Sequence, residues 1–94
     1  MSKIVFLNSR YIDFKKAFIH IEDRGLQFSD SVYEVVPFYN LSLIDFNFHF
    51  LRLKYSLREL RIKFYPNRKK IKNVFVKLIK LNRLKSGIVY LQVT

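Results

Sequence analysis

The sequence predicts an α+β fold, a mostly antiparallel sheet with two helices packed on one face. Two observations carry that reading. Runs rich in β-branched and aromatic residues cover positions 3–14, 32–44 and 88–94. Between the last two of these, apolar residues recur at helical spacing over about 47–62 and 67–81. The order is thus strands, two helices, one strand. A chain of 94 residues suffices for one small domain and not for two.

Each element follows from local chemistry. Lys3 to Leu7 reads as a short strand, Asn8-Ser9-Arg10 as a turn, and Tyr11 to Phe14 as a return strand. Ala17 to Ile21 continues with some alternation, and Asp23-Arg24-Gly25 reads as a turn or loop. Gly25 is one of only two glycines, so a positive φ or a close backbone approach is expected there. Val32 to Tyr39 carries the strongest strand pattern. Pro37 lies inside it and cannot donate to a ladder, so an edge, a bulge or a damaged strand is expected at that position. Asn40-Leu41-Ser42 reads as a hairpin turn before Leu43-Ile44, although glycine would suit position 41 better than leucine.

Asp45 or Asn47 is expected to cap the first helix. Phe46, Phe50, Leu53, Leu57 and Leu60 share one face, with His49, Arg52, Ser56 and Glu59 on a neighbouring one. Tyr65-Pro66-Asn67 breaks the pattern. The second helix, about Asn67 to Leu81, puts Ile71, Val74, Phe75 and Leu78 on its apolar stripe. Its other face carries Arg68, Lys69, Lys70, Lys72, Lys77 and Lys80. Ser86-Gly87 precedes a final strand, Ile88 to Thr94.

Composition narrows the function. Half of the residues are apolar and 17% are aromatic, enough for a core. The absence of cysteine excludes disulfides, thiolate metal sites and cysteine nucleophiles. Two histidines, His20 and His49, are too few for most protein-built zinc sites, and no metal site is expected. The apolar run Ile4 to Leu7 is too short for a secretory signal, and no run is long enough to span a bilayer, so a cytoplasmic protein is expected. A net charge of +11 suggests nucleic acid or another anionic surface. Compositional bias toward Phe, Tyr, Ile, Lys and Asn, as in an AT-rich coding sequence, accounts for the same charge without a partner.

Three ordered blocks carry a resemblance. They are Ile21 to Val36, with Asp23-Arg24-Gly25-Leu26 and Val32-Tyr33-Glu34 inside it; Tyr39-Asn40 through His49-Phe50-Leu51-Arg52-Leu53; and Gly87 to Thr94. Together they resemble the N-terminal part of the D-amino-acid aminotransferases, in the class IV (fold-type IV) pyridoxal-phosphate-dependent family. Val-Tyr-Glu points to the D-amino-acid branch, since the branched-chain branch usually carries Phe-Glu-Gly. The resemblance implies roles for two residues. Tyr33 would hold the substrate carboxylate, and Arg52 would hold the phosphate of pyridoxal 5′-phosphate. Both suit the chemistry: a phenol donates to an anionic oxygen, and a guanidinium presents a planar fork of donors. By residue type alone, Tyr33 reads rather as a core or interface tyrosine and Arg52 as a solvated surface residue. His49 is expected to be packed or capping, and His20 structural.

The resemblance also implies what these 94 residues lack. In the family, the Schiff-base lysine, the glutamate at the pyridine nitrogen, and the arginine and histidine of the carboxylate trap all lie beyond the position matching Thr94. The expectation is therefore a truncated remnant or split N-terminal fragment, with the C-terminal catalytic domain absent and no catalytic residue present. Such a fragment would be inactive alone and would not bind the cofactor covalently. Ser31, Leu41, Pro37 and Phe48 depart from the family pattern and suggest relaxed constraint. The family is homodimeric, so an intact subunit or a complementing C-terminal fragment is the partner it implies. The alternative is a small basic module that binds nucleic acid or a protein through the second helix. It lacks helix-turn-helix spacing and an aromatic RNA-binding stripe, which makes nucleic acid the weaker partner.

Overall fold

The structure is a computed structural model that describes residues 3–94. Strands β1 (Ile4–Leu7) and β2 (Arg10–Asp13) form a hairpin, followed by one 3₁₀ turn at Phe14–Lys16. Helix α1 (Arg24–Phe28) leads into β3 (Val32–Tyr39) and β4 (Ser42–Leu43). Helices α2 (Phe46–Glu59) and α3 (Arg68–Leu81) precede β5 (Ser86–Val93). Both sheets are antiparallel: β1-β2, and a second of order β4-β3-β5.

The three-stranded sheet is organised by alternation along β3. Val32, Glu34, Val36 and Phe38 are buried beneath the helices, while Tyr33 and Tyr39 face the other way. From α2 come Phe46, Phe50, Leu53 and Leu57, and from α3 come Phe75 and Ile79. Leu53, Ile79 and Val36 are at most 2% exposed; Val36 and Ile79 belong to one apolar cluster, and Leu53 packs with Val32 and Leu57 in a second. Ile79 was not on the expected stripe of the second helix, and Leu60, expected on the apolar face of the first, is 49% exposed as the C-cap of α2.

The hairpin turns use strained backbone. Asn40 and Leu41 have φ of 48° and 66°, and Asn8 and Ser9 have φ of 49° and 70°. Two successive left-handed residues match the right-handed twist of the flanking strands. Leu41 adopts this conformation despite its Cβ, so the poor residue for the turn is tolerated.

Pro37 interrupts nothing on the β5 side, where it pairs with Ile88. Its carbonyl accepts the Ile44 N–H at 2.9 Å, so the N–H that proline lacks would also point toward β4. The β4 ladder stops at Leu43, so this is the edge alternative.

Three local expectations are corrected. The segment 17–21 forms no strand, because the 3₁₀ turn ends the hairpin and the residues after it are irregular. Arg24 and Gly25 open helix α1, whose N-terminus is capped by the Asp23 carboxylate, so this is not a simple loop. Asp45 occupies the N-cap position of α2 without a capping bond from its side chain, and Asn47 instead accepts from Arg68 Nε at 2.6 Å. Asn67 does cap α3, accepting from the Lys70 N–H at 3.0 Å.

Asn82 joins the hairpin to the helices. Its side-chain oxygen accepts the Ile4 N–H at 2.8 Å, and its Nδ2 donates to the Ile4 carbonyl at 2.9 Å. One amide side chain thus takes the place of a neighbouring strand for Ile4.

Candidate active-site residues at one end of the sheet

The paired ends of β3 and β5 bring the three sequence blocks together. Tyr33 stands opposite Gln92 in the register, and Val32 opposite Val93. The Tyr33 ring stacks on that of Tyr90, with centroids 5.7 Å apart and planes 10° from parallel. Tyr90 donates to Gln92 Oε1 at 3.1 Å, and Gln92 Nε2 donates to Ser31 Oγ at 3.2 Å. Thr94 donates to Asp23 Oδ2 at 3.0 Å, while Asp23 Oδ1 accepts the Gly25 N–H at 2.8 Å. A Cβ on Gly25 would come within 2.5 Å of the Thr94 methyl, so close approach is what this glycine provides. Tyr33 remains 62% exposed on the open face, and its hydroxyl has no partner among the described residues.

The neighbouring residue, Glu34, points the opposite way. It is 4% exposed and meets two side chains that lie one helical turn apart on α2. Arg52 donates through Nε to Oε2 and through Nη2 to Oε1, each at 2.8 Å. His49 Nδ1 approaches Oε1 at 2.7 Å. An ionised carboxylate only accepts, so the hydrogen of that contact belongs to His49 Nδ1. Phe48 lies beneath the guanidinium, its ring centroid 5.0 Å from Cζ.

Burial alone would push the Glu34 carboxyl up. Hydrogen bonds from Arg52 and His49, and the charge behind them, outweigh it and hold the carboxyl below its ordinary value of 4.5. The same pairing, through its hydrogen bonds and the Glu34 charge, raises Arg52 above its ordinary value.

Glu34 escaped the sequence reading as a site residue. The signal was present: alternation from Val32 and Val36 puts position 34 inside, and a buried carboxylate requires partners. His49 is packed, as expected, with Glu34 as its unforeseen partner. His20 is exposed, and its Nδ1 accepts the Glu22 N–H at 3.0 Å. The basic residues of α3 are exposed. Lys77 lies over the Tyr11 ring and Arg68 over that of Phe46. Among the described residues no helix is long and apolar enough to cross a membrane.

Comparison with known proteins decides the family of the fold. No family model matches the chain. Over 90 residues, 96% of its length, it is 37% identical to the D-alanine aminotransferases of Listeria monocytogenes serotype 1/2a (strain 10403S) and of Bacillus licheniformis. Identity to the D-alanine aminotransferase of Staphylococcus haemolyticus is 32% over the same length. The solved branched-chain amino acid aminotransferase of Escherichia coli superposes on 98% of the chain with a TM-score of 0.88 and 18% identity. That of Thermoproteus uzoniensis gives 0.82 at 19% identity. The chain has the N-terminal fold of the class IV aminotransferases. It spans about a third of the length of the curated relatives it matches, 31% and 32% for the first two. In this aminotransferase fold, that end of the sheet and the facing side of α2 draw residues from all three blocks: Tyr33 and Glu34, His49 and Arg52, Tyr90 and Gln92.

Proposed function

We propose that the chain acts as the N-terminal domain of a D-amino-acid aminotransferase, with Arg52 holding the phosphate of pyridoxal 5′-phosphate and Tyr33 the substrate carboxylate. The observation that carries this reading is the state of the Arg52 guanidinium. Its Nε–Nη2 edge is taken by Glu34, and its Nη1 has no partner among the described residues. The remaining Nη1–Nη2 edge fits a phosphate, whose oxygens accept two parallel bonds from a guanidinium. The side chain is 51% exposed, so that edge is open to a ligand.

When bound, the cofactor supplies the electron sink on which amino-group transfer depends. The chain's own residues bind and orient. Tyr33 presents an unpartnered hydroxyl that donates to a carboxylate oxygen. Tyr90 holds the Tyr33 ring flat by stacking, and Gln92 and Ser31 fix Tyr90 in turn. Proton transfer falls to groups outside these 94 residues. Every lysine among the described residues is exposed, and a nucleophilic or basic lysine needs burial or a cationic neighbour. On this reading the 94 residues alone do not transaminate.

The test is a hybrid in which this chain replaces the matching third of the Bacillus licheniformis D-alanine aminotransferase. The expected outcome is pyruvate from D-alanine and 2-oxoglutarate, and none from L-alanine. A soluble hybrid that retains its cofactor yet forms no pyruvate would contradict the reading.

A further inference from the structure

Arg52 reaches its position from an exposed helical site, and an arginine side chain has considerable rotamer freedom to lose when it binds. Three contacts remove that freedom beforehand. Glu34, on the inward side of β3, grips the Nε–Nη2 edge with both carboxylate oxygens. His49, one turn earlier on α2, donates to the Oε1 that also receives Arg52 Nη2, fixing the rotation of the carboxylate. The Phe48 ring lies against the guanidinium, its centroid 5.0 Å from Cζ. The carboxylate is nearly dry and cannot turn to water, and every buried polar side-chain atom among the described residues has a partner.

We infer that Glu34, oriented by His49, is the positioning residue that aims the free Nη1–Nη2 edge of Arg52 at a phosphate. This rests on the phosphate role proposed above and adds the group that sets its geometry. A carboxylate beside a phosphate-binding arginine would normally weaken anion binding by opposing charge. Here it occupies the far edge of the guanidinium and is screened from the open edge by the guanidinium itself. The gain is pre-organisation: the ligand meets an arginine already held in one rotamer. The same arrangement explains why a strand buried beneath helices carries an ionisable residue at all, since an apolar side chain would pack there without needing partners.

The test uses the 94-residue chain, labelled with ¹⁵N at arginine side chains. Pyridoxine 5′-phosphate is the probe, because it carries the phosphate but no aldehyde to react with surface lysines; inorganic phosphate is the second probe. In the unsubstituted chain, the Arg52 Nε–H resonance should exchange slowly with water before any ligand is added, and both probes should shift the Arg52 Nη signals. Glu34→Gln should abolish the slow exchange and weaken both probes about tenfold, the size commonly lost when an outer partner of a ligating group is removed. His49→Gln keeps the Glu34–Arg52 pair and should cost about threefold, which tests the inference even if Glu34→Gln fails to fold. A folded Glu34→Gln chain that binds both probes as tightly as the unsubstituted one overturns the positioning role and leaves the phosphate role standing. Shifts at other arginines with none at Arg52 overturn the phosphate role, and the positioning role with it.

Discussion

Glu34 sits at the pH-sensitive point of this molecule. Its carboxyl is held below the ordinary 4.5 by Arg52 and His49 against the opposing effect of burial. The ionised form therefore stabilises the fold above that value, and the contribution fades as pH falls through the depressed folded-state value. Urea unfolding followed from about pH 5 to pH 3 should show stability falling more steeply in the unsubstituted chain than in Glu34→Gln. Equal slopes would mean that the carboxylate is not paired in solution. Leu41 is a second residue whose backbone tells against its side chain. At φ 66° it bears left-handed strain, and 43% of its surface is still exposed. Leu41→Gly should raise stability by about 0.5–1 kcal/mol, since relief of strain exceeds the added entropy of the unfolded chain. A lower urea midpoint would show that Leu41 packs more than its exposure suggests.

Among the elements, the joint between the β1–β2 hairpin and helix α3 is narrow. It relies on Asn82, which pairs with both backbone groups of Ile4 and also donates to the Leu78 carbonyl at 2.8 Å. Asn82→Ala should cost about 1–3 kcal/mol and release the Ile4 amide to rapid hydrogen exchange. Unchanged protection at Ile4 would assign the joint to apolar packing instead. The α2–β3 contact is broader. Leu53 is 1% exposed at its centre, and Leu53→Ala should cost about 2–5 kcal/mol. In a domain of this size that is enough to unfold most of the population, and a loss of circular dichroism at 25 °C would register it.

At the scale of the whole molecule, the large elements were legible because each carried its own periodicity. The β3 pattern and the two helical stripes needed no partner to be read, and their bounds agree within a few residues with Val32–Tyr39, Phe46–Glu59 and Arg68–Leu81. Helix α1 was not legible, because five residues make too little periodic signal and Asp23-Arg24-Gly25 has the composition of a turn. Asp45 misled for a similar reason: its residue type suits capping, but a φ of 54° turns its side chain away from that use. Tyr33 and Arg52 were nameable from the resemblance; alternation hinted that Glu34 lies inside, but its partners were legible only from the fold, because they come from helix α2, fifteen and eighteen residues later in the chain. The open face of the sheet, with Tyr33, Tyr39, Ile88 and Tyr90 all more than half exposed, was hidden for the same reason. Alternation in a strand says that two faces differ, and not which one the helices cover.

The central claim is that Arg52 grips the cofactor phosphate with the edge that Glu34 leaves free. The direct measurement is the dissociation constant of pyridoxal 5′-phosphate from the hybrid enzyme, reconstituted from its apo form, with Arg52→Ala set against Arg58→Ala as a control on the same helix. The account predicts affinity lower on the order of a hundredfold for Arg52→Ala, as expected for two charge-assisted bonds, and little change for Arg58→Ala. Equal affinities for Arg52→Ala and the unsubstituted hybrid would contradict it.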